Sequence, residues 1–194
     1  MADKNPTEIQ NEITALEQEI FRKKEELTKL RHQIPPEPVN DYTFHGSNDT
    51  PIKLSELFGN RDELLLIHNM GKGCPYCTLW ADGFNGVLNH IENRTAFAVV
   101  SPDDTATQSQ FASSRGWKFR LVSGKGNSFT KDMGFLSAKG GQQPGVSTFH
   151  KDKTGKITRI AKTYFGPGDD YCFVWHLFDL LPNGVNDWEP KYKY

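Results

Sequence analysis

Through the first 34 positions the apolar residues Ile9, Ile13, Leu16, Ile20, Leu27, Leu30 and Ile34 alternate four and three apart, with Lys23 in the remaining place. That spacing is the seam of one long helix. Asn5-Pro6-Thr7-Glu8 supplies its start: an N-cap, a first-turn proline and an N3 glutamate. Glu19–Lys23 and Glu25–Lys29 fall at i,i+4, where they support a helix. Pro35-Pro36-Glu37-Pro38 ends it and makes a stiff spacer. A narrow seam cut off by prolines predicts a dimerisation arm; the competing reading is a helix folded back on its own domain.

After the spacer the period changes. Tyr42-Thr43-Phe44 and Ile52-Lys53-Leu54 read as short strands, and Ser55–Phe58 as one helical turn. Leu64-Leu65-Leu66-Ile67 is a buried strand followed by a glycine-rich turn, Asn69-Met70-Gly71-Lys72-Gly73. Residues 75–91 read as a helix with Trp80, Phe84, Val87, Leu88 and Ile91 on its apolar face. A strand over 95–100 follows, then a helix opened by Ser101-Pro102-Asp103-Asp104 and running to Arg115. Residues 119–122 predict a strand and 128–133 a short helix. Residues 145–150 and 157–164 predict a hairpin around Asp152-Lys153-Thr154-Gly155. A helix over 169–181 closes the domain, and 182–194 has no period. The order β-α-β-α, hairpin, helix predicts an α/β fold, a mixed sheet flanked by helices. The expected organisation is an arm and linker over 1–36, a domain over 37–185 and a tail over 186–194.

Composition narrows the function. A net charge of −1 gives no electrostatic footprint for nucleic acid or an anionic membrane surface. No apolar run approaches a membrane span. The N-terminus Met1-Ala2-Asp3-Lys4-Asn5 has no signal-peptide core, which predicts a cytoplasmic protein. Three cysteines are too few for a disulfide scaffold. In a reducing compartment a close pair points to catalysis or metal binding.

That pair is Cys74-Pro75-Tyr76-Cys77. It lies at a strand-to-helix junction, so Cys74 is expected at a helix N-terminus. There unpaired N–H groups and the helix dipole stabilise a thiolate. Cys74 is the predicted nucleophile, with Lys72 close enough in sequence to add positive charge. Cys77, one turn on, is the predicted resolving thiol. The competing reading is a zinc half-site, for which His68 and His45 are the nearby extra ligands. No second cysteine pair accompanies it, so redox chemistry is preferred and neither metal nor cofactor is assigned. Cys172, beside Tyr171, Phe173 and Trp175, reads as a small buried apolar residue, with a second resolving role as the lesser alternative. Gly71-Lys72-Gly73 lacks the length and the Lys-Ser/Thr end of a phosphate loop.

With the pair placed after the first long strand, the chain resembles the thioredoxin superfamily. Three segments are similar to a bacterial thioredoxin-like, peroxiredoxin-related family catalogued as a domain of unknown function: Gly73 to Phe84, Arg115-Gly116-Trp117-Lys118-Phe119 with Val122-Ser123, and Pro144-Gly145-Val146-Ser147-Thr148-Phe149. Asp179-Leu180-Leu181-Pro182 is a fourth. The resemblance spans roughly residues 40–185. It implies a thioredoxin-like fold, with Pro144 as the cis-proline that faces the dithiol and offers backbone groups to substrate. It also implies that His68 stands where thioredoxins carry a buried acid, relaying a proton to the resolving thiol. The bland alternative is a strand-end histidine bonded to a backbone carbonyl.

Three functions follow. The first is a thiol–disulfide oxidoreductase acting on a disulfide-bearing protein or a small thiol. The Pro-Tyr dipeptide is the one glutaredoxins use, but Gly140-Gly141-Gln142-Gln143-Pro144 does not match a glutathione site. The second is a thiol peroxidase. Peroxiredoxins carry Thr or Ser three residues before the reactive cysteine and Pro seven before it, where this chain has Gly71 and Ile67. The third is a non-enzymatic or redox-sensing binding module.

Overall fold

The computed structural model describes residues 4–194, in two units that meet at the Pro36–Glu37 bond. The first is dominated by α1 (Pro6–Arg31). Its start is a reciprocal cap: the Glu8 N–H donates to Asn5 Oδ1 at 3.0 Å, and the Asn5 N–H to Glu8 Oε2 at 2.9 Å. No residue of α1 is buried. The helix closes at His32, so Ile34 lies beyond its last turn. Lys23 bonds Glu26 at 2.8 Å, an i,i+3 pair in place of the expected Glu19 partner.

The second unit is one eight-stranded mixed sheet. Its strands are β1 (Glu37–Val39), β2 (Thr43–His45), β3 (Pro51–Lys53), β4 (Glu63–His68), β5 (Ala96–Ser101), β6 (Arg120–Ser123), β7 (Gly145–Lys151) and β8 (Ile157–Tyr164), ordered β1-β8-β7-β4-β5-β6-β2-β3. β4, β5 and β6 run parallel, and the other pairings are antiparallel. This is the expected thioredoxin-like α/β architecture.

Around the sheet lie α2 (Leu54–Leu57), α3 (Pro75–Gly86), α4 (Leu88–Arg94), α5 (Thr105–Arg115), α6 (Phe129–Asp132) and α7 (Val174–Phe178). Three elements depart from expectation. The spacer contains β1, which pairs Pro38 with Thr158 at the sheet edge. A proline is tolerated there because its missing N–H faces away from the ladder. The helix expected over 75–91 breaks at Val87 (φ −114°, ψ 14°), directly after Gly86, a poor helix former. The helix expected over 169–181 shrinks to α7. Its upstream end is a turn in which Asp169 accepts the N–H groups of Gly166 (2.9 Å) and Tyr171 (2.8 Å).

The pleat sorts side chains into two cores. On one face Leu64, Leu66, Ala98, Val100 and Val122 pack with Phe44, Phe129, Phe135 and Phe149. On the other Ile67, Phe97 and Val99 pack with Cys74, Cys77, Trp80, Phe165, Cys172 and Trp175. Segment 182–194, though irregular, is not loose: Val185 and Trp188 pack on this second core, and Trp188 meets Trp175 at 5.5 Å and Phe178 at 4.9 Å between ring centroids.

Candidate active site

Cys74 is the N-cap of α3, and its own thiol does the capping. Its Sγ accepts the Cys77 backbone N–H at 3.1 Å. Pro75 follows at N1, where a missing N–H costs nothing. The Thr78 hydroxyl donates to the Cys74 carbonyl at 3.1 Å and holds the turn from below. The sulfur thus receives donors at the positive end of a helix. Its pKa falls from 9.0 to about 7, through the hydrogen bond shared with the Cys77 side chain and then through backbone N–H groups of Cys77 and Tyr76. Cys77 moves the other way: sharing that bond with Cys74, and then burial, push its thiol up. Both are free thiols, 8% and 2% exposed, so Cys74 is the more reachable and the more acidic. Lys72 makes no contribution to the Cys74 shift.

The loop before the dithiol is pinned from two sides. The Asn69 side chain accepts the Gly71 N–H at 2.7 Å, an Asx turn. Asp103, just ahead of α5, accepts the Lys72 N–H at 2.7 Å. Gly71 has φ +94°, and a Cβ there would lie 2.8 Å from Asp103 Oδ2. The loop therefore requires glycine twice over, for its backbone and for the carboxylate pressed against it. In the sequence Asp103 belongs to the Ser101-Pro102-Asp103-Asp104 helix opening. Asp104 is the actual N-cap, accepting from Thr107 at 2.9 Å, which leaves Asp103 free to serve the loop.

Aromatic side chains surround the thiols. Tyr76 stacks on Trp175 at 6.1 Å, and Trp80 meets Phe165 at 5.4 Å while donating its indole N–H to Asp169 at 3.3 Å. The C-terminal segment completes the wall. Arg115, paired with Asp82, donates to the Tyr192 carbonyl at 2.8 Å. Burial, and then the proximity of Cys74 and Cys77, raise the Tyr192 phenol. The 4-3 and 2-period patterns used for the sequence carry no signal for such residues, which are recruited by tertiary packing alone.

Two expected site residues are not brought to the dithiol as anticipated. His68 shares the parity of Leu64 and Leu66, so it projects into the core opposite Cys74 and Cys77. Its ring stacks between Phe129 and Phe135, and Nε2 meets Ser147 Oγ at 2.9 Å. Burial first, then the charges of Arg159 and Lys162, lower its pKa to about 3. It stays neutral and has no path to Cys77; nor does it bond a carbonyl. Pro144 is trans, for no cis peptide bond occurs among the described residues. Its carbonyl accepts the Phe165 N–H at 2.9 Å, continuing the β7–β8 ladder by one step. Extended pairing with β8 fixes the trans, strand-like chain there and removes the cis-proline argument for substrate docking. Gly145 pairs with His68, so Pro144 still flanks the end of β4 from which the dithiol loop departs.

Among the described residues no three His, Cys, Asp or Glu side chains converge as a metal-binding set. His45 lies on β2 with Asp49 at 3.1 Å, four strands from β7 in the sheet order. Among the described residues no helix is long and apolar enough to cross a membrane. Cys172 is buried in the same core as the dithiol, and burial raises its thiol pKa.

The model of a family described as "Bacterial protein of unknown function (DUF899)" matches residues 4–194. The chain belongs to this family. This DUF899 chain is also 29% identical over 128 residues to the chloroplastic Peroxiredoxin Q of Arabidopsis thaliana, a match covering 66% of the chain and 58% of that relative. It thus spans little more than half of the curated protein's length. Among solved structures it is similar to peroxidoxin BcpB from Mycobacterium tuberculosis (22% identity, TM-score 0.53, 66% of this chain and 84% of that one). A cysteine-to-serine mutant of PrxQ from Xylella fastidiosa gives 20% identity and a TM-score of 0.54, over 66% and 84% of the two chains. A peroxiredoxin-like protein from Aquifex aeolicus gives 18% and 0.52, over 66% and 74%. At these identities the structures establish a shared thioredoxin-type fold.

Proposed function

We propose that this DUF899 protein is a thiol redox enzyme in which Cys74 attacks and Cys77 resolves. One observation carries the reading: Cys74 Sγ caps α3 and accepts the Cys77 backbone N–H at 3.1 Å, one turn from the deeper Cys77 thiol. The lowered pKa of Cys74 and the raised one of Cys77 agree with it. The likeness to Peroxiredoxin Q favours a peroxide as the electron acceptor. In that cycle the Cys74 thiolate attacks one oxygen of ROOH and the O–O bond breaks. ROH leaves after taking up a proton, and Cys74 becomes a sulfenic acid. The Cys77 sulfur then displaces water and closes the Cys74–Cys77 disulfide, the dithiol having supplied both electrons. An external dithiol or small thiol, itself oxidised, restores the pair.

A second reading, thiol–disulfide exchange, is favoured by the site itself. The position that holds an activating hydroxyl in peroxiredoxins is Gly71, a left-handed residue pressed on Asp103. Here Cys74 attacks a substrate S–S bond and expels one thiolate, and Cys77 then attacks the mixed disulfide to release the other. The acceptor is then a disulfide-bearing protein or small disulfide. Both readings suit a reducing compartment such as the cytoplasm. Peroxide consumption and reduction of a model disulfide, measured on one preparation, separate them. Saturable peroxide turnover that depends on Cys74 supports the first, and disulfide reduction without it the second. No dithiol chemistry in either assay leaves the binding-module reading.

A further inference from the structure

The heptad geometry of α1 points to a parallel, in-register, two-stranded coiled coil with a second copy of this chain. Helix α1 has 26 residues, about 39 Å at 1.5 Å per residue, and none of them is buried. Ile9, Ile13, Leu16, Ile20, Leu27 and Leu30 form one line and are each between 43% and 58% exposed. With Ile13, Ile20 and Leu27 at a, and Ile9, Leu16, Lys23 and Leu30 at d, the β-branched residues concentrate at a and leucine at d. That distribution favours two parallel strands.

The flanking charges choose the orientation. Positions g hold Glu12, Glu19 and Glu26; positions e hold Gln10, Glu17, Lys24 and Arg31. In a parallel pair each g residue faces the partner helix five positions on. Glu19 then meets Lys24 and Glu26 meets Arg31, twice each by symmetry. The one unfavourable contact, Glu12 with Glu17, is blunted because Lys4 holds Glu12 at 2.5 Å within its own chain. In an antiparallel pair g residues face g residues, setting glutamates against one another. Lys23, the charge in the seam, is partnered by Glu26 of its own helix at 2.8 Å, which leaves its methylene stem to cover the interface. Such a charged seam position fixes register at a cost in affinity.

Sedimentation of the full chain tests this. The expected species is a dimer of twice the 22.0 kDa chain mass. Ile13→Asp with Ile20→Asp should weaken it roughly a hundredfold or more, since each dimer would bury four unpaired carboxylates, while the melting of the 37–194 unit is unchanged. Lys23→Leu should tighten it about tenfold. Glu19→Lys should weaken it several-fold, and adding Lys24→Glu in the same chain should restore it. A monomeric full chain, a dimer that survives the double aspartate variant, or a trimer or larger species would each overturn the proposal. Tighter association of Glu19→Lys would overturn the parallel orientation in favour of antiparallel pairing.

Discussion

The backbone N–H of Cys77 points at the sulfur of Cys74 across 3.1 Å, so the residue proposed to resolve helps to acidify the one proposed to attack. That donor is main chain and survives replacement of the Cys77 side chain, while the larger acidifying bond, from the Cys77 thiol, passes to the serine hydroxyl in Cys77→Ser. Cys77→Ser should therefore keep a reactive Cys74 and lose only resolution. It should accumulate a mixed disulfide with a disulfide substrate, or a Cys74 sulfenic acid with peroxide. Cys74→Ser should abolish both. Intact mass after substrate addition checks this, and a Cys77→Ser protein that still turns over would assign resolution to another thiol.

The pH profile follows from the bond with the Cys77 side chain first, and from the backbone N–H groups of Cys77 and Tyr76 after it. Only thiolate reacts, and Cys74 is an acid whose pKa is lowered to about 7. Alkylation should rise as pH climbs through about 7 and level off above it, with Cys74 labelled first. Cys77 and Cys172, both raised, should lag well into the alkaline range. Peptide mapping after timed iodoacetamide exposure gives the order, and prior labelling of Cys172 would reverse the assignment.

Gly71→Ala combines a left-handed backbone with a Cβ 2.8 Å from the Asp103 carboxylate. It should cost about 1–3 kcal/mol and change the rate of Cys74 labelling. Adding Asp103→Ala should recover only part of that cost, since it removes the clash and leaves the backbone strain. Urea melts of the four proteins in this cycle measure the coupling, and strict additivity would mean that the two residues do not touch in solution.

His68 makes a different prediction because its burial is a stability term. Its folded pKa, about 3, lies below the unfolded value near 6.5. Below 6.5 the unfolded chain binds the extra proton, so stability present above 6.5 is lost as pH falls toward 3. Between pH 7.5 and 5 the native protein should lose about 2 kcal/mol that His68→Gln does not. Equal losses would mean that the imidazole is hydrated in the folded state.

How far the sequence reaches can be judged from these same residues. The strand–turn–helix around Cys74 was legible because local chemistry decides it: an apolar run, glycines, then a cysteine followed by proline. The cap of α1 was legible for the same reason. His68 was half legible. Two-residue alternation ties it to Leu64 and Leu66, but nothing local says which face of β4 receives α3. Asp103 and Tyr192 were not legible, since each acts through a residue more than thirty positions away. β1 was hidden because Pro38 argues against a strand unless its edge position is known, and the α3–α4 break because one glycine rarely decides a helix end.

Gly71 and Asp103 also bear on which neighbouring chemistries mutation can reach from this protein. A hydroxyl at position 71 needs one codon change, but Gly71→Ser or Gly71→Thr alone drives a side chain into the carboxylate on a backbone that disfavours it. Removing Asp103 first frees the space yet releases the Lys72 N–H and the loop that presents Cys74. Either order passes through a weakened intermediate. The two residues are interlocked, so a side chain at position 71 is costly to introduce while Asp103 stays in place, and the loss of Asp103 is costly to the loop.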